Sequence, residues 1–259
     1  MDLGLAGKSA LVCASSRGLG RGVAMALAEA GVNLTLNART PGPLDETAQF
    51  LRSRYNVAIT SVAADITTQA GRAQVLAAAG SVDILVTNAG GPPPGLWSDW
   101  SHDDFLRALE ANLLTPIALM QALLPAMIDR GWGRVINITS QSVKAPIAQL
   151  GLSNTARSGL TGFVAGTARQ VAPFGVTINN VLPGAHATDR ITQLDAATAK
   201  AEGASAEAVT ARKMAAIPAG RYGDAVDFGA ICAFLCSDQA KFMVGQNILV
   251  DGGAINATL

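Results

Sequence analysis

Cys13-Ala14-Ser15-Ser16-Arg17-Gly18-Leu19-Gly20 has the composition of an anion cradle. Small side chains let a backbone approach a phosphate closely. The free N–H groups that open a helix, together with its dipole, favour negative charge at that place. Before it, Ser9-Ala10-Leu11-Val12 reads as a buried strand; after it, the stretch from Val23 to Ala30 reads as a helix. Strand, glycine turn and helix in that order make the pyrophosphate seat of a dinucleotide cofactor. Taken alone, the pattern also fits an ordinary turn that contains glycine.

The next segments narrow the chemistry. Leu34-Thr35-Leu36-Asn37-Ala38-Arg39 ends a second strand without an acid. An acid there would accept from the adenosine ribose and repel a 2′-phosphate. Arg39 and Arg17 can instead grip a 2′-phosphate through charge-assisted hydrogen bonds, which favours NADP over NAD; as solvated surface charges they would do neither. Asp65, in Ala63-Ala64-Asp65-Ile66, is placed either to accept from an adenine amino group or to cap a helix. Thr87-Asn88-Ala89-Gly90-Gly91 is small enough for a cofactor to cross the edge of a sheet, with Asn88 holding the turn by its amide. Pro92-Pro93-Pro94-Gly95 stiffens the loop that follows.

Positioning these residues requires a scaffold, and the alternation of strand-like and helix-like runs specifies one. Strands are predicted over 9–13, 33–37, 58–63, 83–87, 134–139, 177–181 and 247–250, and helices over 23–30, 44–53, 69–79, 103–130, 153–172 and 225–236. That is an α/β chain: a Rossmann-type doubly wound parallel sheet of about seven strands with helices on both faces. No linker-like boundary interrupts it, so residues 1–259 are expected to form one dinucleotide-binding domain. The alanine-rich stretch 195–216 breaks the alternation and is the candidate for a lid over the site, extending over 185–216. Among 259 residues, 49% are apolar and 15% charged, and 19 basic residues balance 19 acidic ones. Such neutrality gives no reason to expect a nucleic-acid or anionic-membrane partner. Cys13, Cys232 and Cys236 lack metal or disulfide spacing, so no metal site is expected. No leader and no membrane span are expected either, which makes the expected location cytoplasmic.

In their order and spacing these motifs resemble the short-chain dehydrogenase/reductase family, and within it the 3-oxoacyl-acyl-carrier-protein reductase-like members. The resemblance runs through the glycine turn, Asp65, Asn88-Ala89-Gly90, Asn112 in Glu110-Ala111-Asn112, Ser140 in Asn137-Ile138-Thr139-Ser140, Asn180-Val181-Leu182-Pro183-Gly184, Gly220-Arg221-Tyr222-Gly223, and Gly245-Gln246 to Asp251-Gly252-Gly253. It implies cofactor contacts from Ala14, Ser16, Arg17, Gly18, Leu19 and Gly20, from Arg39, Asp65 and Ile66, and from Asn88, Ala89 and Gly90. Further contacts are implied for Arg157 and for Pro183, Gly184, His186 and Thr188. It also implies a small carbonyl or alcohol substrate, and homo-oligomers, tetramers or dimers, formed partly through the apolar segment 242–256.

Two departures stand out. The turn opens Cys13-Ala14 where the family has Thr-Gly, and alanine tolerates positive φ poorly. The family's Tyr-x-x-x-Lys is replaced by Ser153-Asn154-Thr155-Ala156-Arg157, and the chain's two tyrosines, Tyr55 and Tyr222, lie elsewhere. An aliphatic hydroxyl is far less acidic than a phenol and much shorter, so Ser153 is a poor direct substitute. Arg157 still supplies fixed positive charge and donors. Ser140 can polarise a carbonyl, and the resemblance gives Asn112 a water-holding role. For the missing proton donor the sequence offers Lys144, His186, or a water held by Asn112 and Arg157; Lys144 and His186 read equally as exposed loop side chains. Three functions stay open: an NADP-dependent oxidoreductase with a rearranged proton donor, a catalytically quiet nucleotide-binding partner, and a non-redox enzyme with bound nucleotide.

Overall fold

The computed structural model of the protein describes residues 2–257. Seven parallel strands make one sheet: β1 (Ser9–Cys13), β2 (Asn33–Ala38), β3 (Ile59–Ala63), β4 (Ile84–Thr87), β5 (Gly133–Ile138), β6 (Val176–Pro183) and β7 (Asn247–Val250). They lie in the order β3-β2-β1-β4-β5-β6-β7. The direction of winding reverses between β1 and β4, and a crevice opens there at the carboxyl ends of the strands.

Both faces of the sheet are covered, so its central strands read as nearly unbroken apolar runs. Side chains alternate across the sheet: Ala10 and Val12 of β1 join one core cluster, Leu11 and Cys13 the other. The first cluster is closed by α1 (Gly18–Glu29), α2 (Pro41–Arg54) and α9 (Ala225–Cys236). The second is closed by α3 (Gln69–Ala79), α5 (Thr115–Asp129) and α6 (Gly151–Val171). Cys232 and Cys236 share the buried face of α9, as their spacing requires.

The helical run over 103–130 is not uniform. α4 (His102–Leu109) passes into a π turn over Glu110–Leu114 before α5 begins. The whole run, His102–Asp129, is long and apolar enough to cross a bilayer by length and composition, against the expectation from sequence. In the fold, Leu119, Met120, Leu123, Leu124 and Met127 are buried against the sheet, which explains the run's apolar character as that of a core helix. The stretch after β6 is not irregular: it forms α7 (Asp189–Glu202) and α8 (Ala206–Ala215).

α1 and α9 meet backbone to backbone. A Cβ on Gly22 would run into the carbonyl oxygen of Ala225, and one on Gly229 into the carbonyl oxygen of Gly22. Gly22→Ala should therefore destabilise the protein by about 1–3 kcal/mol, although alanine is intrinsically the better helix former by about 1 kcal/mol. A lowered midpoint in urea unfolding is the expected result. A midpoint unchanged or raised would show that the two helices can separate at no cost.

Candidate active site

The glycine turn is built by close approach. Ala14 has φ +48°, the one non-glycine residue with positive φ among the described residues, a conformation that costs alanine roughly 1–2 kcal/mol. A Cβ on Gly20 would strike the Ala14 carbonyl oxygen, so the start of α1 lies directly on the end of β1. Neighbours fix the turn from outside: Ser15 N–H donates to Asn37 O at 3.0 Å, Thr47 Oγ1 to Ser16 O at 2.8 Å, and Asn88 Nδ2 reaches Ala14 O at 3.5 Å. The first turn of α1 contains no acid, and Arg17 gives it no side-chain cap. Its N–H groups are thus left for an external anion, and the turn fits a dinucleotide phosphate. Beside it lies a cavity of about 540 Å³ lined by Ser16, Arg17, Gly18, Thr188 and Asp189 among others.

At the end of β2, Asn37 is buried and donates to Val62 O and Ala64 O at 3.0 and 3.1 Å, which holds β2 to β3. Arg39 is exposed at the same edge. Arg17 forms an ion pair with Asp189 at 3.1 Å, with the two side chains 65% and 66% exposed. The cap of α3 is Thr68, whose Oγ1 accepts from Gly71 N–H at 3.0 Å. The helix-cap reading of Asp65 is thereby corrected. Its exposed carboxylate accepts from the hydroxyl and N–H of Thr67, which hold it below the usual carboxylate range. Ile66 packs partly buried on the second core cluster, and Leu19 on the first.

Past the end of β4, Asn88-Ala89-Gly90 leads to a second cavity of about 270 Å³, lined by Gly90, Pro92, Pro93, Asn112 and Leu152 among others. Asn112 sits in the π turn and is buried; its Nδ2 donates to Ala108 O at 3.3 Å, while its Oδ1 is buried with no partner. Such an acceptor costs roughly 1–3 kcal/mol unless a donor reaches it, so the position calls for a hydroxyl or a water. Ser140 follows β5, half-buried, and its Oγ accepts from Ser142 N–H at 3.1 Å. Arg157 is buried one helical turn from Ser153; its Nη1 donates to Ile138 O at 2.8 Å and its Nε to Ser153 Oγ at 3.2 Å. Burial, and secondarily the like charge of Arg190, pull the Arg157 pKa down to about 10, which leaves it cationic at neutral pH. Because Ser153 Oγ accepts from Arg157, its own O–H is free to donate.

Two proposed proton donors separate here. Lys144 is exposed beyond a single 3₁₀ turn over Gln141–Val143. His186 is neither an exposed loop side chain nor a cleft group. It is 5% exposed, with Nδ1 3.1 Å from Gly184 O and its ring edge-on to Phe228 at 5.2 Å. A Cβ on Gly223 would press on the same ring. Burial lowers the His186 pKa. Gly184 is held to β7 by donating to Val250 O at 2.8 Å, just past Pro183 at the end of β6.

The entry to α7 crosses the crevice. Asp189 ties it to Arg17 on one side, and Arg190 Nη2 donates to Pro92 O at 2.7 Å on the other. Behind this strap, buried Asp195 joins three elements: it accepts from Lys213 Nζ, Tyr222 Oη and Thr210 Oγ1 at 2.8, 2.8 and 2.9 Å. Burial raises the Asp195 pKa, but those three donors outweigh it and the net shift is downward; burial and the carboxylate together push Tyr222 up. Tyr222 is therefore committed to holding the strap. Asp189, Arg190 and Asp195 had no signal in the sequence, being ordinary charges in an alanine-rich stretch.

Comparison with known proteins gives a consistent picture. The family described as Enoyl-(Acyl carrier protein) reductase matches residues 13–255. The 3-oxoacyl-[acyl-carrier-protein] reductase FabG of Salmonella typhimurium is 32% identical over 249 residues, 95% of this chain and 97% of that protein. Its counterpart from Aquifex aeolicus is 30% identical over 258 residues, 98% of this chain and 99% of that one. Among solved structures, L-sorbose reductase from Gluconobacter frateurii, complexed with NADPH and L-sorbose, superposes with a TM-score of 0.93 at 27% identity, covering 99% of this chain and 100% of that one.

The buried imidazole has a consequence in solution. Its folded pKa lies below the ordinary 6.5, so the unfolded chain takes up the proton first. Its stabilising effect is full above that value and is lost as pH falls from about 6.5 toward the folded pKa. Urea unfolding between pH 7 and 5 should show a decline in stability that His186→Gln largely removes. A variant with the same slope as the parent would mean that His186 titrates normally.

Proposed function

Since this chain belongs to the short-chain dehydrogenase/reductase family of oxidoreductases, we propose that it reduces a carbonyl group with NADPH. The observation that carries this reading is the grouping on one sheet edge of an uncapped helix start and a cavity lined by Asn112, whose Oδ1 is buried without a partner. The NADPH in the related sorbose reductase supports the choice of cofactor. So do the absence of an acid at the end of β2, Arg39 just after that strand and Arg17 in the glycine turn.

On this reading the turn from Ala14 to Gly20 receives the pyrophosphate, and Arg17 and Arg39 the 2′-phosphate. Asp65 and Ile66 border the adenine. Asn88-Ala89-Gly90, Pro183-Gly184 and Thr188 line the path to the reacting end. Bound NADPH would supply the hydride, and the carbonyl would become an alcohol by taking one proton from water. Ser140 and Ser153 donate hydrogen bonds to the carbonyl oxygen. Arg157 polarises Ser153 through Nε and holds positive charge where negative charge develops. Asn112 orients the water that replaces the phenol as proton source. Lys144 feeds the same relay from the rim. The segment 185–216 acts as a lid hinged on the strap and held as a unit by Asp195. Self-association through the apolar carboxyl-terminal segment, where Phe242 is 99% exposed, belongs to the same proposal.

A second reading, a nucleotide-binding protein without turnover, is favoured by the one observation that Tyr222, the tyrosine on the lid side, is committed to Asp195. Two experiments decide. In fluorescence titrations, Arg17→Ala combined with Arg39→Ala should weaken NADPH binding by about 10–100-fold and leave NADH nearly unchanged. Equal losses for both nucleotides would remove the 2′-phosphate role. With NADPH consumption followed over a panel of ketones, 3-oxoacyl thioesters and keto sugars, Ser140→Ala should slow turnover by about tenfold or more. No turnover by the parent on any of them would favour the quiet binding protein.

A further inference from the structure

One guanidinium group beside the second cavity, that of Arg190, touches the wall at Pro92 and has no carboxylate partner among the described residues. Arg157 lies buried on α6, spending its hydrogen bonds on Ile138 O and Ser153 Oγ. Arg190 is half-buried on the first turn of α7. It donates Nη2 to the carbonyl of Pro92, a residue of the cavity wall, at 2.7 Å. Its guanidinium lies near Gly91, where an added Cβ would sit 3.4–3.7 Å from Nη2, Nε and Cζ, an ordinary packing contact. Nε and Nη1 of Arg190 have no hydrogen-bond acceptor among the described residues, and neither arginine forms a salt bridge among them.

The two charged residues that line the cavity, Asp104 and Arg107, are paired with each other. Asp104 accepts from Ser101 N–H and Oγ in the capping box of α4, and its remaining oxygen takes Arg107. Asp189, next to Arg190 in sequence, is held by Arg17 on the far side of the strap. The like charges of Arg157 and Arg190 repel one another, and an anion bound at Arg190 would ease that repulsion. A guanidinium with donors left over is suited to a carboxylate or phosphate.

We propose that Arg190 is a specificity-determining residue that binds a carboxylate carried by the substrate, so that the protein selects oxo acids over neutral ketones. The proposal rests on the carbonyl-reductase reading for the identity of the reacting group, but the anion site stands on its own geometry. The arginine on α7 holds the acid end of the molecule. The carbonyl then lies toward Ser140, Ser153 and Asn112. The lid shuts only when the charge is matched.

Calorimetric titration tests it with 2-oxobutanoate and 4-oxopentanoate, each against its methyl ester, on the free protein and on protein saturated with NADP⁺. The acids should bind about tenfold or more tightly than the esters. Arg190→Gln should abolish that ratio, Arg190→Lys should retain part of it, and NADPH affinity should be unchanged in both. Loss of a purely structural contact with Pro92 would weaken acid and ester alike and leave the ratio intact, which overturns the proposal. So would equal binding of acid and ester by the parent protein, or binding of neither. Weakened NADPH binding in Arg190→Gln would assign the arginine to a cofactor phosphate and also overturn it. If the protein binds no NADPH yet still prefers the acids, the anion site stands and the reductase reading falls.

Discussion

The contact between Gly20 and the carbonyl of Ala14 governs the rest of the site. It draws the first turn of α1 onto the end of β1 and leaves the helix N–H groups pointing out of the crevice with no acid or side-chain cap to satisfy them. Ala14 accepts a left-handed backbone to make this possible, a strain of roughly 1–2 kcal/mol that the neighbouring hydrogen bonds to Asn37 and Asn88 hold in place. The same helix cannot retreat, because its Gly22 lies against Gly229 and Ala225 of α9. The candidate phosphate seat is thus clamped from the strand side and from the helix side.

Positive charge then organises the crevice from that seat outward. Arg17 and Arg39 stand at the outer edge, Arg157 is buried at the floor, and Arg190 crosses the strap. The acids nearby are engaged with other partners: Asp65 with Thr67, Asp104 with Ser101 and Arg107, Asp195 with Lys213, Tyr222 and Thr210. A cleft of this kind suits anionic ligands. It also suits chemistry in which negative charge grows on an oxygen atom beside a guanidinium that remains protonated at neutral pH.

Much of this was legible in the residues. β1, β7, α3 and α9 begin and end where their apolar patterns do, because buried parallel strands and amphipathic helices write a strong period into the chain. α1 begins at Gly18 instead of 23, since glycines of low helix propensity hide a turn that is helical by contact with β1. The π turn around Asn112 has no local signature; one polar residue in a long apolar helix gives no hint of an extra residue in the turn. The alanine-rich stretch 195–216, which breaks the alternation in sequence, belongs to two helices; a break at Gly203 and a cap at Ser205 are the local signs of them. What no local pattern carries is partnership over long separations. Arg17 meets Asp189 across 172 positions, and Arg190 meets Pro92 across 98. The burial of His186 has no local sign either: it depends on Phe228 and Gly223, which only the fold brings to it.

A crystal structure of the protein grown with saturating NADPH tests the central claim most directly. The account expects the pyrophosphate on the first turn of α1, the 2′-phosphate between Arg17 and Arg39 with Asp189 released, and the reacting ring beside Ser140 and Asn112. A crevice closed by the protein's own side chains, or a nucleotide bound with its ring turned away from Arg157, would contradict it.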